Sequence, residues 1–347
     1  MSRSTAARPL RVAILSFAHG HAVSYARLLA ARPDVELVTA DPDGATSGGD
    51  ALRGRALAEA IGVDYVDSYE AALKLKPDAV IVTSETAGHR ELVERAVAAG
   101  ADVLCEKPLA TSMTDARAIV AAASASGSIL MTAYPVRFSL AFQDALARVR
   151  RGELGEVLAI RGANNGKLPS DRGWFIEPDA AGGGALVDHV VHCAQLIDEL
   201  LAETPHSVRA VDNAVFHARR APRVETGGVV SLRYPSGVVA AIDCSWSWPD
   251  SAPNWGGLTL DVIGTKGSIH VAPFAQHVAG FDRDGAIWED CGADLDEAML
   301  DEFVAAVRAQ RTPVPDGASG VRTLAIVDAA LRSARAGGTP VSPARAS

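Results

Sequence analysis

Cysteine is scarce in this chain of 347 residues. The four cysteines are Cys105, Cys193, Cys244 and Cys291, and no two of them form a Cys-x-x-Cys pair. This spacing excludes a disulfide framework and a cysteine-based zinc site, and it is typical of a protein in a reducing compartment. We therefore expect a cytoplasmic protein.

Long apolar runs are also missing. No run approaches the roughly 20 residues that are needed to cross a bilayer. The apolar stretch at residues 12–18 is short for a signal peptide, and no small-residue cleavage site follows it. The sequence thus predicts neither a signal peptide nor a membrane partner.

An excess of positive charge is absent as well. Lys and Arg number 33 against 42 Asp and Glu, which gives a net charge of -9, and no basic cluster stands out. The long-range field therefore repels nucleic acid and anionic membranes, so we expect no nucleic-acid partner. Hydrophobic residues make up 48% of the chain, which is enough apolar material for packed cores and excludes a disordered chain. The length predicts about two domains at roughly 150 residues each.

The first third of the chain alternates short apolar runs with helical patterns. Strands are predicted at 11–15, 35–39, 63–66, 79–83 and 103–105, and helices at 22–31, 51–61, 69–75, 89–99 and 114–126. This alternation predicts right-handed β–α–β units. We expect an α/β domain at residues 1–130, with a Rossmann-like, doubly wound parallel sheet that is covered by helices on both faces.

The pattern changes after about residue 150. One helix is predicted at 185–201, followed by strands at 208–216, 228–233, 238–246, 258–263, 268–271 and 277–281, and then by helices at 295–309 and 320–336. Compact turns separate the strands, which favours antiparallel pairing. We expect an α+β domain at residues 131–347 with one open, mostly antiparallel sheet, for substrate binding and oligomerisation. The C-terminal helix is a candidate for packing back on the first domain.

The turn after the first strand reads Ser-Phe-Ala-His-Gly-His at residues 16–21. A dinucleotide-binding fold has glycines here so that backbone N–H groups reach the pyrophosphate. Ser16, Ala18 and His21 occupy those glycine positions, and an ordinary turn of another doubly wound fold explains the segment equally well. Asp41 follows the second strand, where an acidic residue accepts hydrogen bonds from the adenosine ribose. Asp-Pro-Asp-Gly at 41–44 is also a good turn by itself, so the two features together only favour nucleotide binding.

Lys107 lies in the segment Cys-Glu-Lys-Pro-Leu at the end of a predicted parallel strand. Ligands of open α/β sheets bind at the carboxyl ends of the strands. A lysine at this position can donate a hydrogen bond to a substrate oxygen. The alternative is a surface lysine that is paired with Glu106.

Three glycines at 182–184 precede a helix that carries Asp188 and His192. These two residues are four apart and therefore share one helical face. A carboxylate one turn from a histidine is a plausible way to fix the tautomer of the imidazole. Consecutive glycines are costly unless something needs the room. The alternative is a solvated polar face, which Gln195 and Glu199 would continue.

These segments together resemble the Gfo/Idh/MocA family of NAD(P)-dependent oxidoreductases. The family's Glu-Lys-Pro stands at 106–108, and its Gly-Gly-Gly-x-Leu-x-Asp-x-Gly-x-His stands at 182–192, with Val190 in place of the last glycine. The resemblance covers nearly the whole chain, including Asp41, His89, Arg137, the turn at 264–267 and Glu302. Two departures are the degraded glycine turn and Ser-Glu-Thr at 84–86, where the family has Thr-Pro-Asn.

The resemblance implies hydride transfer between a nicotinamide cofactor and a secondary alcohol of a sugar, inositol or related polyol. By this resemblance Lys107 hydrogen-bonds the reacting oxygen, His192 accepts the proton and Asp188 orients His192. The residues implied in cofactor binding are Phe17, Ala18, His19, Gly20, His21, Asp41, Ser84, Glu85, His89, Glu106, Lys107 and Arg137. Asp41 favours NAD, with NADP as the alternative if Arg53 or Arg55 folds back onto a phosphate. A homodimer or homotetramer is expected, as in the family.

Two other functions remain as alternatives. The unusual turn at 16–21 is compatible with a non-catalytic cofactor-binding sensor or subunit of the same fold. A metal-dependent hydrolase is the other, because His189, His192 and Asp188 are ligand types and the turn adds two imidazoles. However, His189 and His192 lean to different sides of the helix, and no His-Glu-x-x-His segment occurs. The sequence therefore predicts no metal site.

Overall fold

The structure is a computed structural model that describes residues 8–45, 52–283 and 285–345. Its first sheet is parallel, in the order β2-β1-β3-β4-β5. The strands are β1 (Leu10–Leu15), β2 (Val35–Ala40), β3 (Ala79–Val82), β4 (Asp102–Cys105) and β5 (Leu130–Thr132). The helices of this half are α1 (His21–Ala30), α2 (Gly54–Ile61), α3 (Tyr69–Lys74), α4 (His89–Ala98) and α5 (Met113–Ser126). The predicted Rossmann-like sheet is confirmed.

Local chemistry explains the bounds of these elements. All four residues of β3 are buried, as expected for a central parallel strand that is covered on both faces. Helix α5 begins where the hydroxyl of Ser112 accepts from the backbone N–H of Asp115, and it ends at Gly127, whose φ is +71°. The strand predicted at 63–66 is reduced to one bridge between Thr39 and Tyr65. The helix predicted from residue 51 begins at Gly54, and residue 51 lies outside the described residues.

The second sheet has the order β11-β10-β6-β9-β8-β7 and is antiparallel except for the β6–β9 pair. Its strands are β6 (Val157–Lys167), β7 (Ser207–Asn213), β8 (Gly227–Arg233), β9 (Val239–Trp248), β10 (Gly256–Gly264) and β11 (Ser268–Val271). The predicted open, mostly antiparallel sheet is confirmed. Strand β6 was not predicted, because its Arg-Gly-Ala-Asn-Asn-Gly-Lys end lacks the β-branched residues that are typical of strands.

The strand predicted at 277–281 does not belong to this sheet. It forms β12 (His277–Asp282), which pairs only with β13 (Gly285–Asp290) in a separate two-stranded sheet. Val278 is 55% exposed, so this side chain of β12 is not buried against the main sheet.

Helices complete the second half and return to the first. They are α6 (Leu140–Arg150), α7 (Pro178–Ala181), α8 (Ala185–Leu201), α9 (Leu295–Ala309) and α10 (Gly317–Arg335). Phe303 of α9 is buried in the core beside β1. Leu324 of α10 packs in the core of the first sheet, and Ile326 packs in that of the second. The domain boundary at 130/131 stays a prediction, since the chain crosses between the sheets again near its end.

The carboxyl ends of β1 and β4 face the N-terminal part of α8 across a cavity of about 980 Å³. Both sheets therefore contribute side chains to one space. Among the described residues, no helix is both long enough and apolar enough to cross a membrane.

Candidate active site

Lys107 and Asp188 form a buried ion pair at the cavity. The Lys107 Nζ donates to Asp188 Oδ1 over 2.7 Å, and its contact with the Asp188 carbonyl oxygen is 3.3 Å. The side chain of Lys107 is only 5% exposed and that of Asp188 15%. Lys107 follows β4 and Asp188 lies in the first turn of α8, so the pair connects the two halves of the chain.

The other carboxylate oxygen of Asp188 has two further partners. Trp246 Nε1 donates to Asp188 Oδ2 over 3.2 Å, and His189 Nε2 lies 3.3 Å from the same atom. The His189 Nδ1 is 2.9 Å from the carbonyl oxygen of Asn164, which fixes the ring. Burial acts to raise the pKa of the Asp188 carboxyl, but Lys107 and His189 outweigh it and hold the pKa well below its usual range. Asp188 is therefore a stable anion.

His192 lines the cavity, but Asp188 does not orient it. Within the residues that the structure describes, the buried His192 Nδ1 has no hydrogen-bond partner. The two side chains do share a helical face, as predicted. However, helical side chains lean toward the N-terminus, and Asp188 reaches Lys107 and Trp246 instead of the residue one turn onward. The described contacts of the Asp188 carboxylate are with Lys107, Trp246 and His189, so no hydrogen bond to His192 supports the expected orientation.

The electrostatic surroundings keep His192 uncharged. Burial, and next the positive charge of Lys107, hold the pKa of its imidazole well below the ordinary histidine value of 6.5. The cavity therefore contains a neutral imidazole beside a lysine and a carboxylate that form an ion pair. A neutral imidazole has one nitrogen that can accept a proton.

The glycines at 182–184 make room for the chain itself. A Cβ on Gly184 would lie 2.0 Å from the carbonyl oxygen of Glu225, and one on Gly183 would lie 2.5 Å from Val187 Cγ2. The Glu225 carboxylate accepts from the backbone N–H groups of Gly184 and Leu186 over 2.8 and 3.1 Å. It thereby satisfies the free amides at the start of α8. The close approach that the sequence predicts is made by Glu225, which sequence reasoning missed because it is some 40 residues away.

Glu106 is buried in a network at the end of β4. Its Oε1 accepts from the Tyr25 hydroxyl over 2.7 Å and lies 3.0 Å from His21 Nδ1, while its Oε2 accepts from the Lys107 backbone N–H over 3.0 Å. Burial acts to raise the pKa of Glu106, but the imidazoles of His19 and His21 and the Lys107 charge hold it well below its usual range. His19, Gly20 and His21 line the cavity.

The turn after β1 contacts a loop of the second half. Arg172 Nη1 donates to the carbonyl oxygens of Phe17 and Ala18 over 2.6 and 3.1 Å, and Trp174 Nε1 donates to that of Ala18 over 3.1 Å. Sequence reasoning missed both donors, and only the aromatic pair at 174–175 just before the glycines could have drawn attention to them. Ser16 has a φ of +77° at the first glycine position, a conformation that glycine adopts more easily.

Arg53 forms hydrogen bonds with the carboxylate of Asp41, the residue that was predicted to bind the ribose. The buried carboxylate of Asp41 contacts Arg53 Nη2 at 2.7 Å, the backbone N–H of Gly54 at 2.9 Å and the Ser16 hydroxyl at 3.2 Å. Arg53 also reaches Glu85 Oε1 over 3.2 Å. One guanidinium thus joins two predicted cofactor residues, Asp41 and Glu85.

His89 and Ser84 lie near the carboxyl ends of β3 and β4. The His89 Nδ1 lies 3.1 Å from the Pro108 carbonyl oxygen, and its Nε2 lies 3.3 Å from that of Ser84. Arg137 is apart from this group: it does not line the cavity, and its Nε donates to Glu199 over 2.5 Å. Of the predicted cofactor residues, the structure places His19, Gly20, His21 and Lys107 at the cavity, and it links Asp41 to Glu85 through Arg53 and His89 to Ser84.

Known proteins are similar to this chain in sequence and in fold. Residues 43–134 match the profile of the oxidoreductase family with an NAD-binding Rossmann fold, and residues 142–270 match that of the GFO/IDH/MocA C-terminal domain. The 1,5-anhydro-D-fructose reductase of Ensifer adhaerens is 30% identical over 75% of this chain and 78% of its own length. The scyllo-inositol 2-dehydrogenase (NAD(+)) of Bacillus subtilis is 27% identical over 83% and 86%. The crystal structure of GenD2 from gentamicin A biosynthesis, in complex with NAD, is 26% identical, with a TM-score of 0.86 over 99% of both chains.

We predict that the imidazole of His192 stays neutral far below pH 6.5, because burial and Lys107 both oppose a positive charge there. NMR titration of histidine-labelled protein from about pH 8 to about pH 5 measures this, with His192→Gln to assign the resonance. A His192 resonance that titrates at pH 6.5 or above would contradict the described surroundings.

Proposed function

The chain belongs to the Gfo/Idh/MocA family, and from that premise we propose that it transfers a hydride between a nicotinamide cofactor and a secondary alcohol carbon of a sugar, inositol or related polyol. The observation that supports this most directly is the buried Lys107–Asp188 pair beside the neutral His192, at the carboxyl end of a Rossmann-like sheet. The relatives from Ensifer adhaerens and Bacillus subtilis are a reductase of an anhydro sugar and a dehydrogenase of an inositol.

The residues at the end of the first sheet fit a dinucleotide. An added Cβ on Gly20 would meet nothing within 4 Å, so the turn before α1 leaves open space in front of the helix N-terminus. Phe17–His21 would border the pyrophosphate, and Asp41 with Arg53 would meet the adenosine ribose. Ser84, Glu85, His89 and Glu106 would border the nicotinamide end.

The bound nicotinamide supplies the hydride acceptor or donor, and the protein handles the proton. Lys107 has three N–H donors, of which one binds Asp188 Oδ1 at 2.7 Å and a second lies 3.3 Å from the Asp188 carbonyl oxygen. We propose that another N–H binds the reacting oxygen and stabilises the negative charge that develops on it. During oxidation, the hydroxyl proton passes from that oxygen to the free ring nitrogen of His192. In this proposal Asp188 positions Lys107, whereas the resemblance implied that Asp188 orients His192.

We further propose a homo-oligomer that forms through the outer face of the second sheet. Val211, Val229 and Val239 lie on neighbouring strands of that face and are each about half exposed, at 53%, 44% and 45%. Such apolar surface is typical of an interface. Light scattering would measure the mass of the particle in solution, and the mass of a monomer would contradict this proposal.

We also propose a cytoplasmic location, which the four free cysteines of the structure support.

We predict that Lys107→Ala lowers kcat/KM by about 10²–10⁴, since the variant loses the donor to the reacting oxygen. The assay follows formation of reduced cofactor from NAD or NADP with a panel of inositols, aldoses and anhydro sugars. Binding of NADH, measured by fluorescence, should change far less. Lys74→Ala is the control, because Lys74 is exposed and pairs with Glu70 on the surface.

Two outcomes would count against this proposal. Near-normal turnover by Lys107→Ala would remove Lys107 from the mechanism. Tight NADH binding with no turnover of any polyol in the panel would favour the cofactor-binding sensor instead.

We predict that NADH binds more tightly than NADPH, by roughly tenfold or more. The two negative charges of Asp41 and Glu85 exceed the single positive charge of Arg53, so a 2′-phosphate beside them would be repelled. Arg53→Ala should widen this preference, since it removes a cation that could meet a 2′-phosphate. Asp41→Ala should narrow it. Fluorescence titrations of both reduced cofactors provide the dissociation constants.

Arg55→Ala is the matched control for these titrations. Arg55 pairs with Asp67 at the surface and is half exposed, so its removal should leave the ratio unchanged. A wild-type chain that binds NADPH more tightly would mean that Arg53, and not Asp41, determines recognition of the ribose.

A further inference from the structure

His19, His21 and Glu106 converge at one wall of the cavity. Each offers one atom that can bind a metal ion, and these three atoms lie within 4.8 Å of one another. The His21 Nδ1 is 3.0 Å from Glu106 Oε1, and the His19 Nδ1 is 3.7 Å from the same oxygen. Ligand atoms of a tetrahedral zinc ion with bonds near 2.0–2.1 Å are about 3.4 Å apart, so these separations bracket the required one.

Hydrogen bonding within the protein accounts for only one of the two ring nitrogens of His19. Its Nδ1 is too far from Glu106 for a hydrogen bond and receives only a long contact of 3.3 Å from the His21 backbone N–H. Its Nε2 is buried and has no partner in the part of the chain that the structure describes. Buried polar atoms almost always have a partner, so the protein's own hydrogen bonds leave the position of this ring unexplained.

Neighbouring groups hold Glu106 and His19 in place. Tyr25 donates to the Glu106 Oε1 over 2.7 Å, and the Lys107 backbone N–H holds the Oε2 at 3.0 Å. The His19 ring packs at 5.6 Å from the ring of Phe175. Partners of this kind, which orient the ligands from outside, are typical of metal sites.

We propose that His19, His21 and Glu106 bind one divalent transition-metal ion of the zinc class, with an open position toward the cavity. Two imidazoles and one carboxylate are a ligand set of zinc sites that keep the fourth position for water or substrate. His19 and His21 line the cavity, so an ion can enter and an oxygen ligand can reach it. The proposal goes beyond the dehydrogenase function, and it opposes the absence of a metal site that the sequence predicts.

The test measures binding and not turnover. Full-length protein without a histidine tag is stripped with a chelator and then titrated with Co²⁺, whose visible absorption reports the ligand geometry. Zn²⁺ affinity is measured by competition with a chromogenic chelator. We expect one ion per chain in the wild type. His19→Ala and His21→Ala should weaken binding by at least about 100-fold, since even outer partners are worth 10–100-fold.

Two further variants sharpen the result. Tyr25→Phe should weaken binding by about 10–100-fold, because it removes only the hydroxyl that orients Glu106. His270→Ala is the control: this histidine is exposed on β11 and pairs with Asp261, so the affinity for the metal ion should be unchanged.

Circular dichroism and thermal unfolding distinguish a variant that has lost metal binding from one that has lost its fold. His21→Gln is included as a second substitution at this position. Zn²⁺ should raise the Tm of the wild type and not that of the folded His21→Gln variant.

Absence of saturable binding to the wild type would overturn the proposal. Unchanged affinity in both His19→Ala and His21→Ala would overturn it too, since the ion would then be bound elsewhere. In either case the cluster would be only a hydrogen-bond network around Glu106.

Discussion

Lys107 and Asp188 form an ion pair that is largely shielded from solvent. The arrangement of the cavity depends on this pair. They are 81 residues apart in the chain, and they lie after β4 in the first half and in the first turn of α8 in the second half. Removal of one partner from such a pair leaves an unpaired buried charge, which costs about 3–5 kcal/mol. The pair therefore holds the start of α8 against the end of β4. Trp246 and His189 satisfy the remaining oxygen of Asp188, so the carboxylate has little freedom to turn toward another residue.

Two other contacts fix segments near the cavity. Glu225 approaches the three glycines and occupies the N–H groups at the start of α8, so that the helix end is bound by the protein rather than left for a ligand. On the opposite side, Arg172 and Trp174 bind the carbonyl groups of the turn after β1. The Arg172 and Trp174 contacts join the second half to the turn at 16–21, and they explain how this degraded glycine turn keeps a defined conformation.

Much of the fold could be predicted from the sequence because its signals are local. Helix α8 has the predicted bounds of 185–201, since its apolar periodicity is strong and glycines precede it. Strand β6 was missed because its residues carry little local preference, although it is central in the second sheet. At the site, helical spacing placed Asp188 and His192 on one face but could not show that Lys107 competes for the carboxylate. Arg53 on Asp41 and Glu225 on Gly184 are likewise contacts between distant segments, which periodicity does not reveal.

We propose that Asp188 acts through Lys107 and not through His192, and a double-mutant cycle on kcat/KM tests this assignment most directly. Asp188→Asn is combined in turn with Lys107→Met and with His192→Gln. If Asp188 positions Lys107, Asp188→Asn lowers kcat/KM in the wild type but costs little once Lys107 is gone, and its effect adds simply to that of His192→Gln. Additivity within about 0.5 kcal/mol for the Lys107 cycle, together with strong coupling in the His192 cycle, would contradict the assignment.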